Sequence, residues 1–188
     1  MEKTFRYRIA KPAALDIITL DMARSYLNMD IPGVTFADDL ITQYIKSAIA
    51  YVERKTNVSF GISTYRWNGG WCSRMGIPDT FYVKSIVGIT ATDQEGVVTE
   101  VTPTDYSLVR IGEKLSEIRW IHGYERVPYA QYGVEFTAGF DPIDEPYEEL
   151  KQAILLLVGS WYDTRVDSVA EKKTLADKII NLHVIGYA

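Results

Sequence analysis

The sequence has very few of the residues that bind metals through sulfur or imidazole. It contains one cysteine, Cys72, and two histidines, His122 and His183. A disulfide within the chain needs two cysteines, and a zinc site needs several Cys or His ligands. An internal disulfide and a thiolate zinc site are therefore excluded, and a His-based metal site is disfavoured. The near-absence of cysteine favours a protein that is made or assembled in the cytosol.

Long hydrophobic runs are also missing. The longest, Ala153–Val158, is far shorter than the roughly 20 residues that cross a bilayer, so we expect no membrane-spanning helix. The first eleven residues carry charges throughout and no apolar stretch, so we expect no secretory signal. The 188 residues are 47% hydrophobic and 24% charged. This composition is typical of a soluble globular protein and excludes wholesale disorder.

The net charge of −5 is unevenly distributed along the chain. Residues 1–94 hold 11 Lys+Arg against 9 Asp+Glu, whereas residues 95–188 hold 9 against 16. An acidic body disfavours tight nucleic-acid binding, which depends on neutralising several phosphates. The first eleven residues are basic. We interpret them as a solvated tail, in preference to a segment that docks on an acidic partner, because chain termini are commonly poorly ordered.

Two helices are predicted near the N-terminus. Thr19 is a candidate N-cap of the first, which Pro32-Gly33 would terminate. The second begins with a capping-box-like pair, Thr35 and Asp38, and ends at Thr56-Asn57. It has a continuous apolar stripe, which indicates a buried face. The stripe consists of Ile41, Tyr44, Ile45, Ala48, Ile49 and Val52.

From about residue 60 to 140 the pattern is that of short strands separated by turns. The turn signals Asp93–Gly96 and Asn68-Gly69-Gly70 predict antiparallel hairpins. The candidate strands include Arg66-Trp67, 81–83, 86–89, 97–101, 106–111, 118–121 and 134–140.

Helices return near the C-terminus. Pro146 occupies a first helical position behind an acidic run. Leu155 and Leu156 extend the apolar character around this helix, which is therefore either central to the core or shared with a neighbouring subunit. A last helix is predicted from Glu171 to about His183, with Leu175, Ile179 and Leu182 in register. The inner face of the first of these helices consists of Leu150, Ala153, Ile154, Leu157, Val158 and Trp161.

These elements predict an α+β fold in a single domain spanning residues 1–188. Its mainly α-helical core would consist of two N-terminal helices at about 15–57 and two C-terminal helices at about 146–184. The segment at about 60–140 would form an antiparallel β-hairpin or sheet insert.

No catalytic motif is present. The carboxylate pairs Asp38-Asp39 and Glu148-Glu149 lie in first helical turns, where the helix dipole accounts for them. The acidic run from Asp141 to Glu149 lacks the spacing of a calcium loop. Cys72, His122 and His183 have no neighbours that form a nucleophile motif. We therefore expect no enzymatic activity, cofactor or metal. The 13 Tyr and 4 Trp residues favour protein contacts.

The order of motifs resembles the longer members of the tailed-phage head–tail connector (adaptor) proteins. The opening helix pair is matched by TLDMARSYL at 19–27, DDLI at 38–41, Ile45, Ala48 and YVERKTN at 51–57. A D-x-x-G turn within a β insert is matched by Asp93–Gly96. The "TAGY…P…L..AILLLV…Y" signature is matched by VEFTAGF at 134–140, Pro146 and LKQAILLLVGSWY at 150–162. The chain departs from the family after Arg165, where Val166 replaces a common glutamate.

The resemblance implies a structural adaptor that forms a ring, commonly of twelve copies, beneath the portal protein of a phage or prophage. It would join capsid to tail and contact the portal on one side and a stopper or tail-completion protein on the other. Double-stranded DNA would pass through the lumen without specific binding, and an acidic lumen would favour this sliding. The protein would be made in the host cytoplasm, contact no membrane and reside in the virion.

Two sets of candidate interface residues follow from this interpretation. Subunit contacts are assigned to polar positions of the second helix, Gln43, Lys46 and Arg54. Portal docking is assigned to the last helix and the tail. The docking set is Lys172, Lys173, Leu175, Lys178, Ile179, Leu182, Ile185 and Tyr187.

Two other functions remain open. The first is a metal-dependent nuclease or hydrolase that assists DNA packaging and binds Mg²⁺ through the acidic run from Asp141 to Glu149. The second is a small nucleic-acid-binding module that uses the basic N-terminus. Divalent-metal binding and salt-dependent binding of duplex DNA would distinguish these alternatives from the adaptor.

Overall fold

The computed structural model describes residues 5–29, 35–70, 74–76, 82–111, 116–121, 131–164 and 174–184. These residues form two compact units. The β unit comprises Met1–Lys11 and Ile62–Gly139, and the helical unit comprises Pro12–Gly61 and Phe140–Ala188. The described strands are β1 (Phe5–Ala10), β2 (Ser63–Gly70), β3 (Arg74–Gly76), β4 (Val83–Thr92), β5 (Val98–Val101), β6 (Tyr106–Arg110), β7 (Ser116–Trp120) and β8 (Gln131–Ala138). The described helices are α1 (Ala14–Ile17), α2 (Leu20–Tyr26), α3 (Asp38–Thr56), α4 (Pro146–Thr164) and α5 (Leu175–Leu182), with a 3-10 turn at Pro103–Asp105.

The β unit contains two antiparallel sheets. Five strands form one sheet in the order β1-β2-β8-β4-β5, and three form the other in the order β3-β7-β6. The turn at Asp93–Gly96 joins β4 to β5. There the Asp93 carboxylate accepts the backbone N–H groups of Glu95 and Val97, each at 2.9 Å, and Gly96 adopts a φ of 84°.

The core of the β unit combines aromatic and aliphatic side chains. Tyr132, Val134 and Phe136 of the central strand β8 are fully buried. Ile118 of the three-stranded sheet belongs to the same buried cluster, and the Trp120 ring lies 5.5 Å from that of Tyr132. The two sheets therefore share one apolar core.

The basic N-terminal segment is not a solvated tail. Phe5–Ala10 forms the edge strand β1, which pairs antiparallel with β2, and the Arg8 guanidinium lies 5.8 Å from the centre of the Tyr65 ring. The hairpin turn expected at Asn68-Gly69-Gly70 is also wrong, because these residues continue β2 in register with β8. Gly69 is needed there for another reason: a methyl group on it would lie 2.5 Å from Cζ2 of Trp67.

The helical unit is built around α3 and α4, which pack antiparallel. Trp161 near the end of α4 contacts the rings of Tyr44 and Tyr51 in α3, and Tyr147 at the start of α4 stacks on Phe60 just beyond α3. The expected stripes are buried except for their aromatic members Tyr44 and Trp161, which are half-buried. The buried members include Ile41, Ile45, Ala48, Ile49 and Val52 in α3, and Leu150, Ala153, Ile154, Leu157 and Val158 in α4.

The helix ends follow the sequence signals in part. The Thr19 side chain caps α2 by accepting the Met22 N–H, as expected, and α3 ends at Thr56 with Asn57 in the left-handed conformation. The capping role predicted for Thr35 is wrong, because Ala37 is the N-cap of α3. The Asp38 carboxylate instead binds Arg24 of α2, with both oxygens 2.6 Å from Nη2. Helix α5 begins at Leu175, since Thr174 is its N-cap, and not at Glu171.

The fold class is therefore α+β as predicted. Along the sequence, two main helices precede the antiparallel β insert and two follow it. The short helix α1 and the strand β1 are additions to the predicted order. The single-domain organisation stays a prediction.

Candidate subunit and partner interfaces

Helix α5 turns one face inward and the other to solvent. Ala176 and Ile180 are buried, Ile179 is half-buried, and Lys178 is exposed. Leu175 and Leu182 are 60% and 74% exposed and lie on the solvent face. Four residues of the predicted docking set are thus placed on α5. The other four, Lys172, Lys173, Ile185 and Tyr187, lie outside the described residues.

The start of α5 is held against α3 by a hydrogen bond between side chains. The Tyr51 hydroxyl donates to Oδ1 of Asp177 at 2.7 Å. Asp177 also closes a reciprocal capping box with Thr174, accepting the Thr174 N–H at 3.0 Å while its own N–H binds the Thr174 hydroxyl at 3.2 Å. This arrangement fixes the direction in which α5 leaves Thr174.

The electrostatics of this contact favour a protonated phenol beside an ionised carboxylate. Burial, the hydrogen bond to Asp177 and the negative charge of Asp177 raise the pKa of Tyr51 to about 12. Burial by itself raises the pKa of Asp177, but hydrogen bonds from Tyr51 and Thr174, with the charge of Lys55, outweigh it and lower that pKa. The contact is therefore stable in the neutral pH range.

The end of α5 is held against α4. Nε2 of His183 lies 2.7 Å from Oε2 of Glu149. Together with the buried Ala176 and Ile180, this contact anchors α5 at both ends and leaves Leu175, Lys178 and Leu182 facing outward.

Helix α3 has a continuous exposed side opposite its buried stripe. Gln43, Lys46 and Arg54, the predicted subunit-interface residues, are all exposed and lie on this side together with Ser47 and Ala50. Within the described ranges, neither Lys46 nor Arg54 forms an ion pair. Asp39 is exposed on this side at the start of the helix, and from Lys46 to Arg54 the side is basic and has small residues near its middle.

Helix α4 also has an exposed side, which is acidic. Glu145, Glu148, Gln152 and Asp163 are exposed, and Leu155 and Leu156 are only half-buried. The periodicity predicted that these leucines lie at the core or at a subunit contact, and their partial exposure leaves them available for a contact. The sequence interpretation did not identify the polar residues around them as interface candidates.

The acidic run from Asp141 to Glu149 forms hydrogen bonds and ion pairs around the start of α4. Asp144 accepts the backbone N–H of Asp141 at 2.7 Å, Glu148 lies 3.6 Å from Lys151, and Glu149 pairs with His183. In the part of the chain that the structure describes, no three His, Cys, Asp or Glu side chains are grouped to hold a metal ion. Cys72 and His122, for which the sequence indicates no nucleophile motif, lie outside that part.

Two large apolar side chains were missed by the sequence interpretation. Phe36 and Ile143 are 81% and 86% exposed, each just before a long helix. The only sequence signal for either residue was that a large apolar side chain lay outside the apolar period of the following helix.

None of the described helices is long and apolar enough to cross a membrane.

No protein-family model and no curated protein sequence matches this chain. Solved structures with a similar fold include chains of gene transfer agent (GTA) particles. A chain in the neck of an empty GTA particle, computed with C6 symmetry, is 19% identical with a TM-score of 0.76, covering 98% of this chain and 97% of that chain. A chain in the virion of a native particle is 20% identical with a TM-score of 0.72, covering 97% and 96%. A chain in the neck of a native particle, computed with C12 symmetry, is 18% identical with a TM-score of 0.71, covering 98% and 97%.

The likeness establishes the fold and extends over both units. The sequence resemblance to head–tail connectors is thus confirmed at the level of the fold, because the similar chains belong to necks and virions of phage-like particles.

Proposed function

We propose that this protein is a structural adaptor in the neck of a tailed bacteriophage or prophage, where it forms a ring beneath the portal. The observation that supports this most directly is the fold likeness to neck chains over almost the whole length of both proteins. Those necks were computed with C6 and C12 symmetry, which agrees with a closed ring, and we propose twelve copies. The role is structural, without catalysis or a cofactor.

The proposed partners are the portal protein on one side of the ring and a stopper or tail-completion protein on the other. Double-stranded DNA passes through the lumen without specific binding. The net charge of −5 supports this, because few phosphate contacts then oppose sliding. The protein is made in the host cytoplasm and resides at the head–tail interface of the virion.

The outward face of α5 is the proposed portal-docking surface. Leu175 and Leu182 lie two turns apart on it, with Lys178 and Ile179 between them. Exposed apolar side chains on a fixed helix suit a partner groove, because little conformational entropy is lost when they bind. Lys172, Lys173, Ile185 and Tyr187 extend this surface in the proposal.

Co-expression with the portal protein of the same phage or prophage, followed by electron microscopy, tests this function. We expect a ring stacked on the portal, from which the copy number is read directly. The variant Leu175→Asp/Leu182→Asp should leave the fold intact and abolish stacking, because two carboxylates would then be buried in an apolar contact.

The matched control is Val97→Asp, which changes an exposed apolar residue of the β unit and should leave stacking unchanged. A bare portal with monomeric protein beside it would contradict the adaptor function. Binding assays with Mg²⁺ and with duplex DNA at low salt would then take priority.

A further inference from the structure

The basic side of α3 is an unusual feature in an acidic unit. The helical unit holds 9 Lys+Arg against 15 Asp+Glu, a net charge of −6. Two of those nine cations, Lys46 and Arg54, lie on the same exposed side of α3 and have no ion pair among the described residues. Eight residues of α-helix separate them by about 12 Å. A partner of opposite charge would therefore be bound over more than two helical turns.

The exposed side of α4 has the opposite character. It carries Glu145 and Glu148 near its start and Asp163 near its end, with Gln152 and the half-buried Leu156 between them. The side chain of Glu148 is 71% exposed although it lies 3.6 Å from Lys151. This side therefore offers carboxylates around a partly exposed leucine.

The two sides point in opposite directions. α3 and α4 pack through their buried stripes, so that their exposed sides lie on opposite faces of the helical unit. A closed ring is built from such heterologous contacts, in which one face of a subunit meets a different face of the next. Contact between like faces would bring carboxylates against carboxylates, or cations against cations, and is disfavoured.

We propose that the basic side of α3 in one copy binds the acidic side of α4 in the next copy, head to tail. Arg54 then faces Glu145 and Glu148 while Lys46 faces Asp163, and between them the small residues Ser47 and Ala50 let Leu156 approach the α3 backbone. The place of this contact in a ring rests on the proposed function. The pairing itself concerns two copies of this chain and is testable without a neck.

Cross-linking between single-cysteine variants tests the pairing. In a Cys72→Ser background, Ala50→Cys marks the α3 side and Gln152→Cys marks the α4 side. A bismaleimide of roughly 8–10 Å matches the distance between packed helix axes. We expect the mixture of the two variants to give cross-linked dimers about tenfold faster than either variant alone, since only unlike faces attract. Equal rates in the mixture and in the separate samples would overturn the proposal.

Charge reversal supplies a second test. Adding Lys46→Glu/Arg54→Glu to the Ala50→Cys variant should lower the mixed cross-linking rate about tenfold. Adding Glu148→Lys/Asp163→Lys to the Gln152→Cys variant should then restore it. The control Glu95→Lys/Glu100→Lys reverses two exposed carboxylates of the β unit and should change nothing. A failure of the double reversal to restore cross-linking, with far-UV circular dichroism unchanged, would overturn the proposed pairing of charges.

The two proposals fail in different ways. Preferential cross-linking without a ring on the portal would retain the head-to-tail contact and contradict the neck function. A ring on the portal without preferential cross-linking would retain the function and show that other surfaces join the subunits.

Discussion

At the scale of single residues, the side chain of Trp67 restricts position 69 to glycine. A methyl group there would lie 2.5 Å from the buried indole of Trp67, which is packed between two sheets. We expect Gly69→Ala to lower the free energy of unfolding by about 1–3 kcal/mol, because the indole must shift within a close-packed core. Urea denaturation at neutral pH measures this change.

Gly88 provides the matched control, since it also lies in a strand of the five-stranded sheet. No heavy atom lies within 4 Å of a methyl group placed on it, and its φ is not positive. Gly88→Ala should be neutral, or stabilising by less than about 1 kcal/mol, because it restricts the unfolded chain. Equal destabilisation by the two substitutions would show that strand glycines are required for reasons other than Trp67.

Tyr51 makes the stability of the protein depend on pH in the alkaline range. Its pKa is raised to about 12 from 10.0, so that the folded state favours the protonated phenol. The resulting stabilisation is fully present below pH 10 and is lost as the pH rises towards 12. Tyr51→Phe has no phenol to ionise at this position. We therefore expect the variant to be less stable than the wild type at pH 8, with the difference shrinking between pH 10 and 12.

Tyr44→Phe is the control for this prediction. Tyr44 also contacts Trp161 through its ring, and its hydroxyl has no hydrogen bond to other residues in the described ranges. Its unfolding free energy should follow that of the wild type across the same pH range. If the unfolding free energy of Tyr51→Phe also followed that of the wild type across this pH range, the hydrogen bond to Asp177 would not contribute to stability.

At the scale of elements, the periodic helices were predicted well and the edge strand β1 was not. The stripes of α3 and α4 are readable because buried positions repeat every three or four residues within one segment. β1 was missed because its partner β2 lies more than 50 residues away, and because its sequence includes two arginines and has Tyr7 and Ile9 about half exposed. The N-cap at Thr35 was wrong because Asp38, the expected partner, is bound by Arg24 of another helix.

The exposure of the candidate interface residues was predictable to different degrees, while their role in an interface stays a prediction. The exposure of Gln43, Lys46 and Arg54 follows from the sequence, because these positions lie opposite a clear apolar stripe. The face of α5 was harder to predict, since Leu175 and Leu182 share the helical period with buried residues and are nevertheless exposed. Only the packing of α5 against α3 and α4 distinguishes its inner residues, Ala176 and Ile180, from its outer ones.

Docking of α5 provides a prediction at this scale. Ile180→Ala should lower the free energy of unfolding, or release α5 locally, at a cost of about 2–4 kcal/mol, because Ile180 is almost fully buried. Leu182→Ala, two residues away and 74% exposed, should change stability by less than about 0.5 kcal/mol. Hydrogen exchange of the α5 amides measures both effects, and equal exchange in the two variants would contradict the assigned orientation of α5.

At the scale of the whole molecule, the two units differ in charge as well as in structure. The β unit holds 11 Lys+Arg against 10 Asp+Glu, whereas the helical unit has a net charge of −6. The division of charge between the two halves of the sequence only approximates this difference, because β1 and the β insert belong to one unit. Self-association through the helical unit should therefore weaken as salt is added, since it depends on a few exposed charges.

The chain passes between the units three times, which bears on whether they unfold together. Two of the crossing points are fixed by backbone hydrogen bonds within their own units. Gly61 donates to the Phe140 carbonyl at 3.1 Å in the helical unit, and Gly139 donates to the Tyr82 carbonyl at 3.2 Å in the β unit. Each unit consists of two segments of the chain, and the ends of these segments are held close together by the other unit. When one unit unfolds, the segment ends of the other are released. We therefore propose a single cooperative domain.

This proposal predicts one unfolding transition seen by two different probes. In a Trp161→Phe background, tryptophan fluorescence reports the β unit, while circular dichroism at 222 nm reports the helices. Val134→Ala in the centre of the β core should cost about 2 kcal/mol and shift both urea midpoints equally. Val98→Ala, which is 61% exposed in the same unit, should shift neither. If Val134→Ala shifted the fluorescence midpoint alone, the units would be independent domains, because the loss of one would not be transmitted through the shared crossing points.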